Sequence, residues 1–157
     1  MAQQLTVEDA KESLAAHVTN KGLELHEKYG PHIGWAQLQA ILQDRAVCRY
    51  PVEIVFDSKP LQPGEFAFPA TRGNDISDGF ILYIHPVYSL YLDEVPHLAL
   101  YQLVLVNYGE FASSDEAEIF GACALGITRE EYYRTLCELV DQLPGQIGGE
   151  SDSLNNG

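Results

Sequence analysis

Residues Leu98 to Val106 read LALYQLVLV, a segment apolar on nearly every side when wound as a helix. A helix without a polar face has to be enclosed by other elements, so this one is expected at the centre of whatever domain forms. It belongs to a longer stretch from Asp93 to Gly126, and the central helix is expected near residues 93 to 108, stopped by Gly109. Ser113 followed by Glu116 matches a capping box, in which each residue's side chain satisfies the other's backbone amide. It opens a helix with Ala117, Phe120, Ala124 and Ile119 on its face. Thr128 and Glu131 repeat the device before a last helix carrying Tyr132, Tyr133, Leu136, Leu139, Val140 and Leu143, which Pro144 ends.

Upstream, Thr6 is an N-cap for a helix in which Val7, Ala10, Leu14, Val18, Leu25 and Tyr29 recur at helical spacing. Gly22 is expected to weaken that helix, and Gly30-Pro31 to end it. A short helix follows with Trp35, Leu38, Ile41 and Leu42 on one face. From Val47 the period changes to the alternation of a strand, with Val52, Ile54 and Phe56 on one side. A short strand is expected at Glu65 to Phe68, and the best one at Gly79 to His85, closed by Pro86. Helical spacing that switches to alternation and back predicts an α+β fold, a small sheet packed on one face by helices. One domain over residues 1–143 is expected, with 144–157, poor in apolar residues, as a disordered tail.

A formal net charge of −14 with only nine Lys and Arg argues against nucleic acid and against anionic lipid as partners. The apolar run from Phe80 to Asn107 is broken by His85, Asp93, Glu94, Pro96, His97 and Gln102, whereas a membrane span needs about 20 apolar residues. Without a secretory leader in MAQQLTVEDAKESLAAHV, a cytoplasmic protein with reduced thiols is expected. Cys123 and Cys137 are expected on buried helix faces. Motifs for serine nucleophiles and phosphate loops (GxSxG, GxGxxG, GxxxxGK) do not occur. His17, His26 and His32 read as solvated helix-face residues.

The order of helix, turn-linked strands, a strand ending in His85-Pro86, and a buried helix ending in Asn107-Tyr108-Gly109 resembles small zincin-like metalloproteases over roughly residues 47 to 126. The segment Asp115-Glu116-Ala117-Glu118-Ile119-Phe120-Gly121-Ala122 is similar to the EAxxFAA helix that supplies a third ligand in one branch of that family. Two alignments to the family's HExxH signature are open. In one, Asp93-Glu94-Val95-Pro96-His97 stands for it, which implies zinc held by Asp93, His97 and Glu116 with Glu94 as general base. Against it, Pro96 does not fit deep inside a helix, which makes Asp93 an N-cap and leaves Glu116 in its capping box. In the other, Tyr101-Gln102-Leu103-Val104-Leu105 occupies the signature, every ligand and the base are replaced, and no cofactor is expected.

The second alignment leads to a binding or scaffold module with a degenerate site; the alternative is an atypical zinc-dependent hydrolase. For the module, Tyr83, His85, Tyr88, Tyr91 and His97 surround the strand-to-helix junction beside Asp93 and Glu94. They either finish the core or form a cleft whose acidic rim selects a basic peptide or protein.

Overall fold

The computed structural model describes residues 6–144. In chain order these form α1 (Val7–Tyr29), α2 (Trp35–Leu42), β1 (Val52–Phe56), β2 (Ala67–Thr71), β3 (Phe80–Ile84), α3 (Val95–Tyr108), α4 (Ser114–Leu125) and α5 (Arg129–Val140). The fold is α+β. Three of the helices open on reciprocal caps. Thr6 and Asp9, Ser113 and Glu116, and Thr128 and Glu131 each exchange side-chain-to-backbone hydrogen bonds. A cap of this kind satisfies amides that the first helical turn leaves without partners. Among the described residues no helix is long and apolar enough to cross a membrane.

The sheet has the order β1-β3-β2. β3 runs parallel to β1, with Leu82 beside Ile54, and antiparallel to β2, with Leu82 beside Pro69. The strongest strand in the sequence is thus the central one, and its alternate residues Phe80, Leu82 and Ile84 are buried. The strand expected at Glu65 to Phe68 is displaced to Ala67–Thr71 and runs through Pro69. An edge strand tolerates this proline because only one of its sides has to pair. β2 and β3 both pack against α3.

Most of α3 is buried, from Val95 and Pro96 through Leu98, Leu100, Leu103 and Val106, while His97, Tyr101, Leu105 and Tyr108 are half-buried along one side. It begins at Val95 rather than Asp93, because Leu92–Glu94 form a separate 3-10 turn and Pro96 occupies the first helical turn. Proline belongs there: the amide it lacks would have had no partner in the helix.

Two glycines set how closely the helices approach. A Cβ on Gly22 would lie 2.6 Å from the Cβ of Cys123 and 2.8 Å from the carbonyl oxygen of Phe120, so α1 crosses α4 at the one α1 residue without a side chain. The weakness expected at Gly22 is a packing contact. Gly121 does the same for Tyr132, whose ring carbons lie too close for a Cβ there to fit. Tyr132 is fully buried and its hydroxyl donates to the His97 carbonyl at 2.5 Å, tying α5 to α3.

The thiols and histidines differ from expectation. Cys48 is the buried cysteine, its thiol pushed up to about 12 by burial; Cys123 is half-buried and Cys137 exposed. The inward face of α5 is Tyr132, Leu136 and Leu139, which turns Cys137 outward. His26 is not simply solvated, since its Nδ1 lies 3.0 Å from the Ala124 carbonyl across the α1–α4 contact. His17 meets the edge of the Tyr108 ring at 5.6 Å. The disordered tail expected over 144–157 lies, beyond Pro144, outside the described residues.

Candidate functional site

β3 leads through His85 into a 3-10 turn, Pro86–Leu90, then through Tyr91 into the Leu92–Glu94 turn and α3. His85 closes the first turn itself: its Nδ1 accepts from the Val87 amide at 3.1 Å. Tyr88 is fully buried and donates its hydroxyl to the Leu139 carbonyl, and burial pushes that hydroxyl up to about 12. Tyr83, paired in register with Phe68, is half-buried in β3. Of the aromatic ring expected around the junction, Tyr88 completes the core, while Tyr91 is 45% exposed.

The four residues of the first signature alignment take separate partners. Asp93 caps a helix, but not its own: Oδ1 accepts from the Trp35 amide at 3.2 Å, at the start of α2. The residue preceding α2 is Gly34, which has no side chain to do this. A Cβ there would lie 2.9 Å from Asp93 Oδ1, so the glycine also makes room for the carboxylate. His97 turns back on its own helix, with Nδ1 3.3 Å from the Glu94 carbonyl and 3.6 Å from Glu94 Oε1. Glu116 is buried in the α4 cap, accepting at 2.7 Å from both the amide and the hydroxyl of Ser113. Burial pushes its carboxyl up, but the Ser113 hydrogen bonds and the charge of Lys11 outweigh this and hold it below the ordinary glutamate value.

Among the described residues, no three His, Cys, Asp or Glu side chains are grouped as metal donors. Asp93, His97 and Glu116 each serve a different helix end or turn. In the second alignment, Tyr101 packs edge-on against Phe66 at 6.0 Å. Gln102 is buried, and its Oε1 has no hydrogen-bond partner among the described residues. A buried amide oxygen without a donor costs roughly 1–3 kcal/mol.

What the junction leaves open to solvent is apolar. Leu90 is 78% exposed and Leu92 37%, on either side of Tyr91. With Trp35, Asp93 and Glu94 they line a shallow depression of about 540 Å³. A groove of about 290 Å³ continues from it, sharing Tyr91 and Glu94 and bounded by Glu138 and Leu139 of α5. Neither has a lysine or arginine in its lining. The sequence pointed to Tyr91, Asp93 and Glu94. It gave no signal for Trp35 or Glu138, which come from two other places in the chain and join Leu90, Tyr91 and Leu92 only when α2 and α5 close on the junction. No protein family, curated protein or solved structure matches this chain.

Proposed function

We propose that this protein is a binding module of zincin-like layout without a standard metal site, which takes a basic peptide segment on the surface around Tyr91. The observation that carries this reading is the run Leu90-Tyr91-Leu92, exposed as three consecutive large apolar residues and flanked by Asp93, Glu94 and Glu138. Exposed apolar side chains gathered at one place and rimmed by polar groups are a feature of interaction sites. An apolar residue of the peptide would bury against Tyr91 and Leu90, while Lys or Arg on either side would meet the carboxylates. The net charge of −14 adds long-range attraction for such a segment, which raises the association rate and makes it sensitive to salt. Tyr101, Gln102 and Leu105 at the signature positions are the counterpart of this reading: side chains that fill a helix position without binding a metal.

Trp35 is the only tryptophan and lines the depression, so its emission reports occupancy directly. Titration with a synthetic peptide of alternating Leu and Arg should change Trp35 emission, more strongly at low salt. Tyr91→Ala and Glu94→Lys should each weaken the response at least tenfold. A response unaffected by both substitutions would refute the site. Near-stoichiometric zinc in protein purified without added metal, lost on His97→Ala, would replace the binding module with the metal-hydrolase reading.

A further inference from the structure

A second concavity of about 390 Å³ lies between α1, the loop after α2 and the C-terminal end of α3, and shares no residue with the peptide surface. Its charge is opposite to that of the rest of the molecule. Lys21, Lys28, Arg45 and Arg49 line it against Glu24 and Asp44, a local excess of two cations in a chain of net charge −14.

The two carboxylates are already engaged. Asp44 accepts from Lys28 at 2.7 Å, from the Tyr29 hydroxyl at 2.6 Å and from the Ala46 amide at 2.9 Å. Glu24 lies 3.7 Å from Lys21. Among the described residues, Arg45 and Arg49 have no carboxylate within ion-pair distance.

The loop that carries both arginines is held in place. Asn107, in the last turn of α3, accepts from the Arg49 amide at 3.0 Å and donates to the Val47 carbonyl at 2.8 Å. The Asp44 carbonyl accepts from the amides of Val47 and Cys48. Arg49 lies over the Tyr108 ring, 4.9 Å from its centre, a stacking that leaves the edge of the guanidinium free to donate. Leu25, Phe120 and Tyr108 supply an apolar floor. The volume is at the lower end of the roughly 300–1,000 Å³ typical of small-molecule sites.

We infer that this cleft binds a small organic phosphate monoester, its phosphoryl oxygens on Arg45 and Arg49 and its body on the Tyr108–Phe120 floor. Guanidinium forks match a group with several terminal oxygens, and two of them with Lys21 nearby favour a dianion over a single carboxylate. A polyanion would meet the acidic remainder of the surface, whereas a small ligand experiences only charges within about one Debye length, roughly 8 Å at physiological salt.

The probe is 1-naphthyl phosphate, followed by its ultraviolet absorbance in equilibrium dialysis at 0.15 M salt, with neutral 1-naphthol and inorganic phosphate as comparisons. The ester should bind at least tenfold more tightly than either comparison. The double variant Arg45→Ala/Arg49→Ala should weaken it at least tenfold, with the circular dichroism spectrum unchanged and the Trp35 peptide response not weakened. Arg72→Ala, which removes a cation paired with Glu53 on the sheet, should leave binding as it is. No binding at millimolar ester, equal affinity for naphthol, or full affinity in the double variant would each overturn the inference.

Discussion

Replacing Gly22 with alanine sets two effects against each other, and the structure decides between them. Inside a helix, alanine is favoured over glycine by about 1 kcal/mol, so the sequence alone predicts that Gly22→Ala stabilises α1. The added methyl group, however, would lie 2.6 Å from Cys123 Cβ, 2.8 Å from the Phe120 carbonyl oxygen and 3.2 Å from the Ala124 amide nitrogen. Carbon atoms pack at about 3.5–4.0 Å. Two of the three obstacles are backbone atoms of α4 and cannot rotate away, so α4 has to retreat by about 1 Å. That retreat loosens the α1–α4 interface around Val18, Leu25, Ala117, Phe120 and Ala124, all buried. Overpacking of this kind costs roughly 1–3 kcal/mol, which exceeds the propensity gain. With the overpacking cost at the middle of that range, the expected result is a net loss of about 1 kcal/mol, or about 4 °C in melting temperature for a chain of this size. Urea and thermal unfolding followed by circular dichroism measure it. Ala16→Gly, on the exposed side of the same helix, isolates the propensity effect and should cost about 1 kcal/mol. A Gly22→Ala protein as stable as the parent, or more so, would refute the close approach of α1 and α4.

Two further substitutions test polar groups. Lys28, Tyr29 and the Ala46 amide hold the Asp44 carboxyl at about 2, below its ordinary 3.8. A depressed carboxyl contributes stability that is present above its unfolded value and lost as pH falls through the folded one. The shift sets a ceiling of about 2.4 kcal/mol, and the solvent exposure of Lys28 reduces this to about 1 kcal/mol. Asp44→Asn should therefore destabilise by about 1 kcal/mol at pH 7 and by clearly less at pH 3 in urea titrations; a gap that does not change with pH would count against the Asp44 contacts. Gln102→Leu removes the unpartnered Oε1 at similar volume and should stabilise by about 1 kcal/mol; a loss of stability on thermal unfolding would mean that the amide has a partner after all.

What the sequence determined by itself was local. Reciprocal caps such as Ser113 with Glu116 act across three residues and form in any fold that keeps the helix. Alternation marks β3, and a segment apolar on every side marks α3 as central, because the hydrophobic effect depends on composition before it depends on arrangement. The same locality explains the small errors at the start of α3 and in β2, where a separate turn and an edge position decide. Relations between distant segments were not legible. Neither the parallel pairing of β1 with β3 nor the closeness of Gly22 to Phe120 has a spacing that could announce it. Asp93 read as the cap of its own helix and became the cap of α2, since a carboxylate binds whichever free amide the packing brings to it. The candidate sites divide in the same way. Tyr91, Asp93 and Glu94 are neighbours in the chain and could be read together, whereas Trp35 and Glu138 join them only through the packing of α2 and α5. The cationic cleft is the furthest case: Lys21, Arg45, Arg49 and Tyr108 belong to three separate segments, and in a chain of net charge −14 their gathering is a property of the tertiary structure alone.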